Sequence, residues 1–91
     1  MAYYFTASRL TGKNNVVFPD EIVIKGDVVI YRKGRIIGYK ETKMGRDTIS
    51  SVSIDAHLLF ADVIIETRGG MKICAKGFTR DDASDIARLL T

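Results

Sequence analysis

Thr79-Arg80-Asp81-Asp82-Ala83-Ser84-Asp85-Ile86-Ala87-Arg88-Leu89-Leu90 carries the one convincing helix signal in the chain. The Thr79 hydroxyl can accept from the otherwise unpaired amide of Asp82, and Asp81 and Asp82 place negative charge at the positive end of the helix dipole. Ala83, Ile86, Ala87 and Leu90 recur at i, i+3, i+4 and i+7, an apolar stripe edged by Leu89, while Asp85 and Arg88 lie off it. Phe78, just before the cap, and Ala83, four residues into the helix, offer a weak hydrophobic staple. A helix of about three turns is marginal alone in water, so its stripe must be buried against something else. The rest of the chain reads as strands, which makes the helix the lid of a sheet.

Working outward from the helix, Met71 to Lys76 reads as the last strand, reached through Arg68-Gly69-Gly70, a turn suited to a primed two-residue hairpin. Leu59 to Thr67 is the most apolar strand, with Ala61, Val63 and Ile65 sharing one face, which predicts a central position. Thr48 to Ile54 alternates Val52 and Ile54 against Ser51 and Ser53, so one face is expected to be buried and the other wet. Asp55-Ala56-His57 is the connection between these two strands. Further upstream, Glu21 to Lys25 and Val28 to Lys33 are β-branched runs joined across Gly26-Asp27, Arg35 to Thr42 follows the Lys33-Gly34 turn, and Lys43 to Asp47 breaks the pattern. Val16-Val17-Phe18 leads to the only proline, Pro19, which marks an edge or a turn. Thr11 to Asn15 is a turn cluster, and its Gly12-Lys13 pair lacks the upstream glycine and following Ser or Thr of a phosphate-binding loop. Tyr3 to Leu10 is read as the first strand. The sum is about seven short strands and one helix, with no repeat or linker, for which an antiparallel barrel or sandwich plugged by the helix is the economical solution.

The chain's 91 residues suffice for a single domain over 1–91, with residues 1–15 its N-terminal strand-and-turn segment and 79–90 its C-terminal helix. An apolar fraction of 46% and a charged fraction of 27% are those of an ordinary globular protein. No apolar run approaches the roughly 20 residues that span a bilayer, and the N-terminus lacks the basic start and long apolar middle of a secretory signal, so a cytoplasmic location is expected. One cysteine, Cys74, permits no internal disulfide, in keeping with a reducing compartment. The net charge of +3 is mild and acids are scattered through the chain, so an extended nucleic-acid footprint is not the first reading. Cationic residues nevertheless cluster between Lys25 and Arg46, where the acids are Asp27 and Glu41.

Several stretches of the second half carry a family likeness: Ile49-Ser50-Ser51-Val52-Ser53-Ile54, Leu59 through Gly70, Ala75-Lys76-Gly77-Phe78, and Asp82-Ala83 with Ile86 and Leu89. In these the chain resembles the pleckstrin-homology-like (PH-like) domains of bacteria, over roughly Val16 to Leu90. The resemblance implies a strongly bent seven-stranded antiparallel sheet closed at one end by a C-terminal helix. It also implies a binding or assembly module rather than an enzyme. Its motifs are core positions, turns and a helix start, so they speak to fold far more than to ligand.

The candidate sites are few. Lys25, Lys33 and Arg35 formally satisfy the basic pattern by which some eukaryotic relatives hold phosphoinositides. The six residues from Asp27 to Lys33 span about 20 Å of strand, however, so no specific phosphoinositide site is expected. Lys33, Arg35, Lys40, Lys43 and Arg46 form a possible basic patch for anionic lipid or nucleic acid, with Tyr31 and Tyr39 interleaved as potential base-stacking partners. A solvated face that discourages sheet-to-sheet aggregation is the more frequent use of such lysines. Ser50, Ser51, Ser53, Asp55 and His57 hold the residue types of a hydrolase triad, yet they are nearly contiguous on one strand and cannot form the required chain of hydrogen bonds. His57 has no His or Cys at ligand spacing, and Asp81, Asp82 and Asp85 are accounted for by the helix start, so no metal and no cofactor is expected. The leading expectation is a non-enzymatic module that binds a protein partner or a second copy of itself. It would do so through an open strand edge or through Tyr3, Tyr4 and Phe5, a cluster unusually apolar for a chain end. Electrostatic binding of anionic membrane or nucleic acid through residues 33–46 is the alternative.

Overall fold

A computed structural model describes residues 2–7, 19–34 and 39–91. The expected elements at residues 8–18, including the Thr11 to Asn15 turn and Val16-Val17-Phe18, and the start of the Arg35 to Thr42 strand lie outside the described residues, as does Arg35 itself.

The described chain is mainly β. Strands β1 (Ala2–Thr6), β2 (Glu21–Lys25), β3 (Val28–Gly34) and β4 (Tyr39–Gly45) form one antiparallel sheet in that order. After a 3-10 turn at Arg46–Thr48, β5 (Ile49–Ala56), β6 (Phe60–Thr67) and β7 (Lys72–Thr79) form a second antiparallel sheet with β6 in the middle. Helix α1 (Arg80–Leu90) ends the fold and packs on β5, β6 and β7. Among the described residues no strand ladder joins the two sheets, so a closed barrel is not seen. No described helix is long and apolar enough to cross a membrane.

The helix follows its sequence signal closely. Thr79 is the cap, its hydroxyl accepting from the Asp82 amide at 3.1 Å, and Ala83, Ile86 and Leu90 are buried. They join one core with Ile22 and Ile24 of β2, Val29 and Tyr31 of β3, Met44 of β4, Ala61, Val63 and Ile65 of β6, and Ile73, Ala75 and Phe78 of β7. The central position expected for β6 is observed, and its alternating Ala61, Val63 and Ile65 are each 0% exposed.

Four departures from the sequence reading have local causes. First, β4 does not break at Lys43: Met44 keeps the inward alternation opposite Val29, and the break comes at Arg46. Second, the alternation in β5 shifts at an extra residue, Ser50, whose hydroxyl donates to the Glu66 carbonyl at 3.0 Å. The bulge puts Ile49 and Val52 on the same face, against the core; Ile54 keeps Val52's phase but, nearer the end of the strand, is 39% exposed. Third, the β6–β7 hairpin is not a primed two-residue turn. The Gly70 amide donates to the Thr67 carbonyl, Thr67 pairs with Met71 and only Gly70 (φ 91) is left-handed, so the loop has three residues with a glycine bulge at its end. A further bulge at Lys76-Gly77, with Gly77 at φ 87, lets β7 bend and run on to Thr79 instead of stopping at Lys76.

Candidate functional site

Alternation along β3 and β4 grades one inner face from apolar to basic. Val29 pairs with Met44, Tyr31 with Thr42, and Lys33 with Lys40. The first pair and Tyr31 are buried, and the lysines extend the face beyond the core. On β7 the opposite alternation puts Ile73 and Ala75 in the core and turns Lys72, Cys74 and Lys76 away from it. The two surfaces meet in an open groove of about 420 Å³ whose charged lining is Lys33, Lys40, Lys72 and Lys76, with Tyr31 and Met71 among its other walls. Among the described residues no acidic side chain lines it.

One carboxylate holds the groove's two sides together. Asp20 accepts the Tyr31 hydroxyl at 3.0 Å and the Gly34 amide at 2.9 Å from the first sheet, and the Lys76 amide at 3.2 Å from the second. Burial, then the charge of Asp20 and its hydrogen bond, with a smaller contribution from Cys74, push the Tyr31 phenol well above its ordinary range. The Tyr31 hydroxyl also lies 3.4 Å from the Cys74 carbonyl. In an antiparallel edge strand alternate residues turn both backbone groups outward. The bonds to Cys74 and Lys76 therefore identify 72, 74 and 76 as the outward set of β7. Among the described residues that edge has no strand partner, so the Lys72 backbone and the Cys74 amide face the groove side open.

The expected basic patch is split by the fold. Lys33 and Lys40 line the groove, whereas Lys43 lies on the other face of β4, 4.0 Å from Glu41. There Arg32 spans its cross-strand partners Glu21 and Glu41 at 3.1 and 2.8 Å, and its hydrogen bond holds the Glu41 carboxyl below its ordinary range. Arg46 turns to the carbonyls of Gly26 and Leu89 and so ties the β2–β3 turn to the end of α1. Lys25 abuts the Gly26-Asp27 turn, while Lys33 pairs with Lys40 at the far end of β3. Lys72 and Lys76, absent from the sequence reading of the patch, complete it from the second sheet.

The N-terminal aromatics are built into the first sheet, with Tyr3, Tyr4 and Phe5 opposite Ile24, Val23 and Ile22. Phe5 packs against the core, while Tyr4 stays 64% exposed. At the β5–β6 connection the structure gathers a set that sequence spacing hid: Asp55, His57 and Asp62 bring one ligand atom each within 4.8 Å of one another. Asp55 and Asp62 are cross-strand partners, a pairing that only the hairpin register reveals. No protein-family model matches the chain, and no curated protein matches it.

Proposed function

We propose that the chain is a non-enzymatic PH-like domain that binds a protein partner at the outer edge of β7, taking up an extended acidic segment as an added strand. Seven antiparallel strands followed by a C-terminal helix is the order that the PH-like resemblance implies, and the same order in this chain supports a bent barrel-like roll closed at one end by α1. The observation that carries the binding mode is the coincidence of a strand edge that, among the described residues, has no strand partner and is open at the Lys72 backbone and the Cys74 amide, with a groove whose charged residues are four lysines. Main-chain bonds to the edge would supply affinity, and the lysines would select acidic side chains at alternate positions. The electrostatic alternative, anionic membrane or nucleic acid held by residues 33–46, draws support from Lys33 and Lys40 but loses Lys43 to the far face and Arg46 to the helix end.

A labelled peptide alternating Val and Glu, an oligothymidylate and anionic vesicles, each titrated over a salt series, test the reading. The peptide is expected to bind, to weaken with salt, and to be lost both on Lys72→Glu/Lys76→Glu and when its backbone amides are methylated. Failure of the peptide to bind at low salt overturns the proposal, and tighter retention of vesicles or oligonucleotide by the same lysines transfers the site to the electrostatic reading. Solution mass across concentration separates a second copy from a different partner: a dimer abolished by the same charge reversals would make the chain its own ligand.

A further inference from the structure

The Asp55, His57 and Asp62 cluster lies at the β5–β6 hairpin beside the Leu58-Leu59 turn, where Asp62 reaches Gly77, the residue after groove-lining Lys76, and it does not rest on the binding reading above. Asp55 and His57 are two residues apart on β5 and its continuation, so they share a face, and Asp62 stands directly opposite Asp55 on β6. Like charges in that cross-strand position repel. Among the described residues neither carboxylate has a Lys or Arg within ion-pair distance, and the one ion-pair partner of Asp62 is His57, whose Nε2 is 3.3 Å from its Oδ2. The other oxygen of Asp62 accepts the Gly77 amide at 3.3 Å, which orients the carboxylate and leaves Oδ2 turned to the cluster. That is the outer-shell support typical of a metal-binding carboxylate.

We propose that Asp55, His57 and Asp62 bind a first-row divalent cation, with Zn²⁺ the ion best suited to the donor set. A Zn²⁺ ion holds imidazole nitrogen and carboxylate oxygen at about 2.0–2.2 Å, which places ligand atoms roughly 3 to 4 Å from one another. The His57–Asp62 separation of 3.3 Å already meets that spacing, and the whole set lies within 4.8 Å, within reach of a small rotation of the exposed Asp55. Two carboxylates neutralise a divalent charge, and the imidazole selects against Mg²⁺ and Ca²⁺, which prefer all-oxygen shells. Three protein ligands on a wet surface leave a fourth position to water. Bound there, the ion would clamp β5 to β6 next to Leu58 and Leu59, which are 88% and 70% exposed.

Calorimetric titration of the purified chain with Zn²⁺ tests this, alongside His57→Ala, Asp55→Asn and Cys74→Ser. One ion per chain is expected, with affinity reduced at least about ten-fold by either ligand substitution and unchanged by Cys74→Ser. Zn²⁺ should also raise the thermal midpoint of the native chain and of Cys74→Ser, but not that of His57→Ala. His57 and Asp55 are exposed, so both variants should fold, which a midpoint without metal equal to the native value verifies. Equal Zn²⁺ affinity in the native and His57→Ala chains, loss of binding in Cys74→Ser, or no binding at all would each overturn the assignment.

Discussion

Replacing Asp20 by Ala is expected to destabilise the domain by about 3 kcal/mol, far more than its place just after a proline suggests. Hydrogen bonds to an ionised acceptor are worth about 1.5–3 kcal/mol each when removed. The Gly34 amide, partly buried at 2.9 Å, loses its acceptor outright and makes the largest single contribution, about 1.5 kcal/mol. The Tyr31 hydroxyl retains the Cys74 carbonyl at 3.4 Å and the Lys76 amide is exposed to water, so these two together add only about as much again. Against a total stability of about 5–14 kcal/mol for a chain of this length, 3 kcal/mol is a large share. It corresponds to a fall in melting temperature of about 12–24 °C. Asp20→Asn keeps an acceptor for Gly34 and should lose roughly half as much. The chain has no tryptophan, so urea unfolding is followed by circular dichroism and tyrosine fluorescence. A double-mutant cycle with Tyr31→Phe should show a coupling of about 1 kcal/mol. If Asp20→Ala unfolds within about 0.5 kcal/mol of the native chain, the carboxylate does not hold the two sheets, and with them the two sides of the groove, together.

Three further outcomes follow from the same structure. The Tyr31 phenol is raised by burial and by Asp20, so both states keep its proton below the unfolded value near 10, and above that pH the unfolded chain ionises first. Stability should therefore fall as pH rises past about 10, and the difference between the urea midpoints of the native chain and Tyr31→Phe should change across pH 9–11; a constant difference would contradict the burial of that hydroxyl. Ile86 is 0% exposed between α1 and the sheet, and Ile86→Asp, which buries an unpaired charge, should leave the chain unfolded by circular dichroism; near-native melting would overturn the packing of the helix. Arg46→Ala removes the donor to the Leu89 and Gly26 carbonyls and should cost about 1 kcal/mol, with faster amide exchange in the last turn of α1, whereas Lys43→Ala on the outer face should stay within about 0.5 kcal/mol; equal effects would show that Arg46 is an ordinary surface charge.

Much of the fold was legible because its signals are local. Thr79, Asp82 and the 83-86-87-90 stripe depend on spacing within three turns, and the inward set 61-63-65 on strict alternation, so both were readable without knowing any neighbour. The errors fell where one extra residue changes the phase. Ser50 brings Ile49 onto the same face as Val52, and Lys76-Gly77 carries β7 past the point where alternation stops. A bulge has no composition of its own beyond a glycine such as Gly77, and in Ile49-Ser50-Ser51 there is not even that.

The groove was harder to read than the fold because half of it is set by a contact between sheets. Lys33 and Lys40 face each other through a hairpin register, yet nothing in the sequence says that Lys72 and Lys76, more than thirty positions on, lie across from them. Nor does charge alone sort the cations: Lys43 and Arg46 look like Lys40 in a list of residues, and strand parity separates the first while the end of α1 takes the second. The residue that brings the two halves together, Asp20, reads as an ordinary turn aspartate after Pro19. Its three hydrogen bonds reach 11, 14 and 56 positions along the chain. A carboxylate satisfied by amides from both sheets fixes the distance between them at one point only. The lysines beyond that point therefore stand apart, with the open edge of β7 between them, where the proposed added strand would lie.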